Sequence, residues 1–345
     1  MKIVAVMTMR NEADIIESWI RYYYRVADHI LITDNLSMDG SDDLVLKLAD
    51  EGLPISLIRD NRPGHLQQER MEIMMNHAFY DLEADWVLLL DADEFLIPPM
   101  GETLRDIFIE LNQNQTLKVP WVTYVPTIND PGEPNVLKRV SHRLQKEVKQ
   151  IYKVMVPVKI GKNKNVLITM GNHDIRIGKK RVKCQEPPSG MVLAHFPVRS
   201  RVQISTKILV GWLSTLSSSR HTGGKSYHWK NLFDRIIENK EEAFLDLERA
   251  AVNYLGEPIK SDEGQHVVRD PIEDSLSDFT IKYVPASTSD PFKVFAATAE
   301  QIATNYGNLS RQVELIRSGS KMGWRNFFTR VGNFFFSKNS NKDRS

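Results

Sequence analysis

Trp86-Val87-Leu88-Leu89-Leu90-Asp91-Ala92-Asp93-Glu94-Phe95 joins an unbroken apolar run to a cluster of acids. Five apolar residues without a break suit a strand covered on both faces, the environment of a central parallel strand. Three acids follow at once, and the apolar run resumes at Phe95-Leu96-Ile97. Carboxylates buried without partners are costly, so these acids require a cation or strong hydrogen-bond donors. In an extended chain Asp91 and Asp93 project to one side, with Ala92 on the other. Two hard oxygen ligands on one side suit Mg²⁺ or Mn²⁺ sharing its sphere with phosphate oxygens.

Upstream, strand-like and helix-like segments alternate. Lys2–Thr8 is a short β-branched run, and His29–Thr33 and Pro54–Arg59 are two more. Between them Glu12–Tyr24 places Ile15, Ile16, Trp19, Ile20 and Tyr23 at helical spacing. Ser41 is positioned to cap a helix over Asp42–Asp50, and a further helix is expected over 66–82. This alternation predicts a doubly wound α/β half. Ligands of such sheets bind beyond the carboxyl ends of the strands. There the sequence supplies Thr8, Arg10, Asn11 and Glu12, then Asp34 and Asn35, then Asp60, then Asp91 to Glu94.

Past residue 117 the character changes. Leu117–Val125, Ile151–Ile160, Val166–Met170 and Met191–Phe196 read as strands of an antiparallel or mixed extension of the sheet. Helical patterns return over Ser200–Leu216, from Tyr227 to about Asn253, and near 295–317, with a loop expected over 256–292. The expected division is 1–200 as the α/β domain (nucleotide and metal half 1–100, acceptor half 101–200), 201–320 as a helical region, and 321–345 as a basic amphipathic tail.

Composition narrows the class. The chain of 345 residues is 41% hydrophobic and 26% charged, an ordinary globular mix. Its one cysteine, Cys184, excludes an intramolecular disulfide framework and a cysteine-rich zinc site. No run approaches the roughly 20 apolar residues of a membrane span. Arg10, Glu12 and Asp14 interrupt the first apolar segment before a signal-peptide core forms, so a cytoplasmic location is expected. The net charge of +1 hides an asymmetry: residues 1–110 carry 22 acids against 9 Lys/Arg, and residues 138–183 carry 14 Lys/Arg against two acids. An acidic third followed by a basic strip suggests a metal site facing an anionic ligand. The strip lacks the interleaved aromatics of a nucleic-acid stacking platform, so nucleic acid is not the expected partner.

Taken together, Thr8-Met9-Arg10-Asn11-Glu12, Asp34-Asn35-Leu36-Ser37-Met38-Asp39-Gly40-Ser41 and Asp91-Ala92-Asp93-Glu94-Phe95 resemble glycosyltransferase family 2. The resemblance is to a branch whose opening motif reads "RNE" and whose metal motif reads "DADEF", and it covers about the first 100 residues. It implies a GT-A fold, a doubly wound mixed sheet with a helical C-terminal extension. It implies sugar transfer from a nucleotide-sugar donor, a UDP-sugar in the first instance, to a glycan or lipid-linked acceptor with inversion. By the same resemblance Thr8, Arg10, Asn11, Glu12, Asp34, Asn35, Arg70 and Ala92 belong to the nucleotide pocket. Asp91 and Asp93 belong with the diphosphate and a divalent Mn²⁺ or Mg²⁺, and His195 completes the metal sphere. Arg199, Arg201 and Lys207 lie close enough in sequence to reach a diphosphate or an anionic acceptor.

Inverting transfer needs a carboxylate that accepts the acceptor's proton, placed after the metal motif. Asp174, in Gly171-Asn172-His173-Asp174, is the first candidate, and Asp130, in Asn129-Asp130-Pro131-Gly132, is the second. Gly223-Gly224-Lys225 lacks the strand and glycine pattern of a phosphate loop. In Lys321–Lys338, Trp324, Phe327, Phe328, Val331, Phe334 and Phe335 share a helical face edged by basic residues. That suits either an anionic membrane surface or docking on protein. Two rival functions stand beside glycosyl transfer: a nucleotidyltransferase, and a noncatalytic polyanion-binding module using 138–183.

Overall fold

In the computed structural model of the chain, residues 1–62, 66–128, 130, 132–147, 149–217, 227–238, 246–252, 254, 267–283 and 290–317 are described. The N-terminal third folds as its alternation requires. Strands β1 (Ile3–Met9), β2 (His29–Asp34), β3 (Ile55–Arg59) and β4 (Trp86–Asp91) are parallel, in the spatial order β3-β2-β1-β4. Helices α1 (Ile16–Tyr23), α2 (Ser41–Asp50) and α3 (Gln67–Tyr80) connect them. Ile3 to Met7 and Trp86 to Leu90 are buried throughout, because apolar clusters cover both faces of the central strands. Ser41 is not a cap. Gly40, at φ 89°, precedes the helix, and the Ser41 hydroxyl instead accepts a hydrogen bond from the Glu12 amide at 2.8 Å.

The second part of the sheet starts immediately after the acidic motif. It comprises β5 (Glu94–Ile97), α4 (Leu104–Glu110), β6 (Thr116–Val125), α5 (Val136–Arg139), β7 (His142–Leu144), β8 (Tyr152–Pro157), α6 (Val158–Gly161), β9 (Val166–Ile168), β10 (Ile175–Ile177), β11 (Lys180–Arg181), β12 (Cys184–Gln185) and β13 (Val192–His195). β8 lies antiparallel between β4 and β6, making the sheet mixed, and β13 pairs with both β5 and β6. That double pairing sets His195 opposite Glu94 on one side and Thr123 on the other. β9, β10 and β11 form a separate antiparallel sheet. Its residues Val166, Ile168 and Ile175 pack with Met71, Met75 and Phe79 of α3.

Two expected strands are shorter than their apolar runs. The run Ile151–Ile160 leaves the sheet after Pro157 and coils into α6, and the run from Val166 gives way to a 3₁₀ turn over Met170–Asn172. The bend at Gly161 is fixed by packing: a Cβ there would lie 1.9 Å from Cε2 of the buried Phe79 ring. Gly161→Ala is therefore expected to destabilise the fold by about 1–3 kcal/mol through overpacking. A lower urea midpoint at an unchanged slope would show it.

Helices α7 (Arg201–Leu216), α8 (Tyr227–Glu238) and α9 (Leu247–Val252) follow. Ser200 caps α7 by accepting from the Gln203 amide. Ile204, Ile208, Leu209, Ile236 and Ala251 join Val125 and Val198 in a third core cluster. Within the segment expected to be loop, β14 (Val267–Arg269) adds to β7, and α10 (Asp274–Ser277) follows it. Three residues are too short to show periodicity, so that strand leaves no trace in the residue pattern. The last described helix is α11 (Pro291–Arg317).

The chain divides into two compact units, Met1–Phe295 and Ala296–Ser345. Among the described residues of the second unit only helix is present. The Gly223-Gly224-Lys225 and Lys321–Lys338 segments lie outside the described residues. No helix among the described residues is long and apolar enough to cross a membrane.

Candidate active site

Parallel pairing levels the strand ends. Thr8 lies opposite both Thr33 and Asp91, Met9 opposite Asp34, and Asp34 opposite Arg59. Thr8, Asp34 and Asp91 therefore share the carboxyl edge of the sheet, where ligands of α/β folds bind. The loops beyond are pinned to one another. Asn11, at φ 58°, donates its amide to Ser37 Oγ at 2.9 Å, and its Oδ1 accepts from the Met38 amide at 2.7 Å. Asn35 Nδ2 donates to the carbonyls of Asp60 and Arg62 at 2.9 and 3.0 Å. Arg70 Nε donates to Asp60 Oδ2 at 2.8 Å. Asn11, Asn35 and Arg70 thus already serve the loops' own architecture.

Arg10 differs. Its Nη1 donates to Ser214 Oγ of α7 at 2.8 Å, while Nε and Nη2 are buried without a partner. Burial first, then nearby Arg70, pulls its pKa down to about 10, against the opposing pull of Asp34. A shielded guanidinium with unused donors beside the strand edge is suited to an anion.

The chain does not remain extended through the acidic motif. It turns at Ala92 and Asp93 between β4 and β5, so Asp91 and Asp93 acquire different partners. Asp91 accepts from Gln67 Nε2 at 2.8 Å and from Lys153 Nζ at 2.6 Å, and its amide donates to Glu94 Oε2 at 2.8 Å. Lys153 is fully buried and lies 3.1 Å from Glu94 Oε2. Asp93 Oδ2 lies 2.8 Å from Lys207 Nζ, 3.7 Å from His195 Nε2 and 3.9 Å from Arg199 Nη1. Arg199, also buried, is held by Glu12 at 2.6 Å and Asp14 at 2.8 Å. Ala92 is buried in the turn between the two carboxylates.

Burial and pairing oppose each other at every one of these groups. Burial penalises the Asp93 charge, but Lys207, His195 and Arg199 outweigh it and hold the carboxyl below its usual range. Burial likewise works against the Lys153 ammonium, and Asp91 and Glu94 overcome it, raising its pKa. At Glu94 burial prevails, lifting the pKa to about 8 although Lys153 pulls the other way. Glu12 rises to about 7, again through burial opposed by Arg199. Burial drives His195 down to about 4, leaving a neutral imidazole. Its ring stacks on Trp121 at 4.1 Å, and its buried Nδ1 has no partner.

Glu94 gives a pH prediction. Its folded pKa lies above the unfolded value, so its contribution to stability is complete below about pH 4.5 and is lost as pH rises through about 8. Glu94→Gln is expected to flatten the stability profile across that window and to exceed the wild type near its alkaline end. Denaturant melts at stepped pH would read this.

The donor set can be tested against a divalent ion. No group of three or more His, Cys, Asp or Glu side chains among the described residues is arranged to hold a metal. Mg²⁺ and Mn²⁺ bound with a diphosphate, however, take most of their sphere from phosphate and water and need few protein ligands. Asp93 Oδ2 and the neutral His195 Nε2, 3.7 Å apart, fit such a role. Asp91 fits it less well, because its two oxygens are taken by Lys153 and Gln67.

The two candidate bases sit elsewhere. Asp174 is buried on the small sheet and faces Arg181 Nε at 3.0 Å, and it also accepts from the Ile175 amide. Asp130 closes a turn by accepting from the Thr127 amide and hydroxyl at 2.9 and 2.8 Å. His173, beside Asp174, packs its ring 5.7 Å from Trp121, with Nε2 against Gly171, and lies within electrostatic range of Asp91 and Lys153. Its Nδ1 is 2.8 Å from the Tyr152 carbonyl, which only accepts, so Nδ1 carries the proton and Nε2 the lone pair. Sequence reasoning passed over Lys153, Gln67, Trp121 and His173. Lys153 did leave a signal, a lone ammonium at the head of the apolar Val154-Met155-Val156-Pro157 run.

No protein-family model matches the chain, and no curated protein is detectably similar to it in sequence. Among solved structures it is similar to glucosyl-3-phosphoglycerate synthase from Mycobacterium tuberculosis in complex with Mn²⁺, UDP and glucosyl-3-phosphoglycerate. That match has 20% identity over 35% of this chain and 44% of that one, with a TM-score of 0.26. It is also similar to GalNAc-T7 with UDP, GalNAc and Mn²⁺ (11% identity, 69% of this chain and 54% of that one, TM-score 0.33). A third match is a glucose-1-phosphate thymidylyltransferase structure from Bacillus anthracis (9% identity, 56% and 89%, TM-score 0.32). The chain spans less than half the length of the mycobacterial enzyme, and likenesses this partial assign it no activity.

Proposed function

We propose that this strand edge binds a nucleotide-sugar, a UDP-sugar in the first instance, and transfers the sugar to a hydroxyl of a glycan or lipid-linked acceptor. The observation that carries the reading is the ionised, buried Asp93 bonded to Lys207, with the Arg199 guanidinium and the neutral His195 ring beside it, on the same edge as the unused donors of Arg10. Breaking the bond between the anomeric carbon and the diphosphate builds negative charge on the leaving oxygens. Arg10 has two free donors for that charge, and Lys207, the most exposed cation of the cluster at 22%, can exchange Asp93 for a phosphate oxygen. A divalent ion, when bound, adds neutralisation of the leaving group, and Asp93 with His195 would hold it. Lys153 keeps Asp91 and Glu94 in place behind them.

On the acceptor side the free lone pair of His173 Nε2 favours that residue over Asp174, which is engaged with Arg181. As the acceptor oxygen bonds to the anomeric carbon and the diphosphate departs, the hydroxyl proton passes to Nε2. Displacement from the face opposite the leaving group inverts the centre. Trp121, stacked on His195, supplies an aromatic wall beside that path.

The test is a panel of nucleotide-sugars with Mn²⁺, scored for nucleoside diphosphate release. Release from one donor class, lost in His173→Gln and retained in Asp174→Asn, supports this reading and its base. Loss in Asp174→Asn alone returns the base to Asp174. Pyrophosphate release from a nucleoside triphosphate plus a sugar phosphate marks a nucleotidyltransferase instead.

A further inference from the structure

We infer that the outer face of the β9–β11 sheet, with the turn at Met170, is a surface that docks on anionic phospholipid membrane. Residues 159–183 carry eight Lys/Arg and a single acid, Asp174. All eight cations are exposed. Among the described residues only one of them, Arg181, has an acidic partner, Asp174 itself. The remaining seven repel one another until an anionic partner arrives.

The architecture of the patch indicates which anion. Val166 and Ile168 point into the core below α3, so Leu167 between them points out. Strand register then places Leu167 beside Arg176, and Arg176 beside Arg181, in one outward row. Leu167 is 45% exposed and Met170, just beyond it, 64%. Lys162 extends the patch onto α3: its ammonium lies 5.5 Å from the Tyr80 ring centroid, and Tyr80, 56% exposed, donates its hydroxyl to the Lys162 carbonyl. A polyanion in water gains nothing from exposed leucine and methionine. The boundary between lipid headgroups and acyl chains accepts such side chains while its phosphates meet the cations. Nucleic acid would be served by open stacking rings, and Tyr80, the aromatic side chain in the patch, lies under Lys162. Met170 opens the 3₁₀ turn whose C-cap is His173, so the patch is joined to the proposed base by a single turn of chain.

The experiment is flotation of the full chain with vesicles of phosphatidylcholine alone or with about one-third phosphatidylglycerol. Wild type should float only with the anionic vesicles and should release as salt rises. Arg176→Glu with Lys179→Glu and Arg181→Gln should weaken partitioning at least about tenfold. Leu167→Ser with Met170→Ser should lower the salt concentration needed for release. These side chains are exposed, so unchanged melting temperatures confirm intact folds. Three results overturn the inference: no flotation of wild type; flotation of the triple variant equal to wild type, which moves membrane contact to another segment such as 321–338; or no vesicle binding alongside charge-dependent binding of a single-stranded oligonucleotide. Nucleotide binding at the strand edge is read separately, so neither proposal falls with the other.

Discussion

Replacing Lys153 with methionine is expected to lower the stability of the Met1–Phe295 unit by about 1–3 kcal/mol, the usual range for leaving buried or half-buried acceptors without their hydrogen-bond partner. Lys153 is fully buried, donates to Asp91 at 2.6 Å and lies 3.1 Å from Glu94. Methionine matches the length of the aliphatic stem, so packing is largely kept and the loss is electrostatic. Without the ammonium, Asp91 keeps only Gln67, and Glu94 Oε1, already buried without a partner, loses its nearest positive charge. Combining Lys153→Met with Asp91→Asn should recover part of the loss, because the uncompensated carboxylate goes with it. Urea midpoints of the single and double variants check both statements. A single variant within experimental error of the wild type would mean that the interior charges are not paired as described.

Asp93→Asn is expected to remove about 10²–10³-fold of the proposed sugar-transfer activity while leaving the fold in place. Asparagine keeps the shape of the side chain, and Arg199 retains Glu12 and Asp14. What disappears is the charge that positions Lys207 at 2.8 Å and faces His195 at 3.7 Å. Turnover at saturating donor, compared with the far-ultraviolet spectrum and melting temperature, separates a catalytic loss from unfolding.

Much of this architecture was legible in the sequence because burial leaves periodic traces. The apolar runs Lys2–Thr8, His29–Thr33 and Trp86–Leu90 marked the parallel strands to within a residue or two. Asp93 and His195 could be nominated from sequence, but their approach depends on β13 pairing with β5, a contact across about a hundred residues. The course of the chain within the acidic motif was harder to read. An extended strand and a strand-turn-strand have the same composition, and Glu94 bonding back to the Asp91 amide decides between them. In the sequence Lys153 is one of the 14 basic residues of 138–183, and a charged residue at the head of an apolar run is ambiguous until its neighbours are known. His173 is overshadowed by Asp174 in the sequence, since the 3₁₀ turn at Met170–Asn172 that precedes both is too short to leave a periodic trace.

On the proposed reading, the carboxyl edge of β1, β2 and β4 takes a nucleoside diphosphate between Asp93 and Arg10. Thermal unfolding of the full chain with nucleoside diphosphates, in the presence and absence of Mn²⁺, reads that binding. A ligand bound only by the folded state at about a hundred times its Kd adds about 2.7 kcal/mol, or a rise of roughly 5 °C. That rise is expected for one nucleotide, UDP first, with the Mn²⁺-dependent part lost in Asp93→Asn and the remainder reduced in Arg10→Met. No rise for any nucleoside diphosphate under either condition, or a rise unchanged in both variants, would mean that the strand edge is not a nucleotide site.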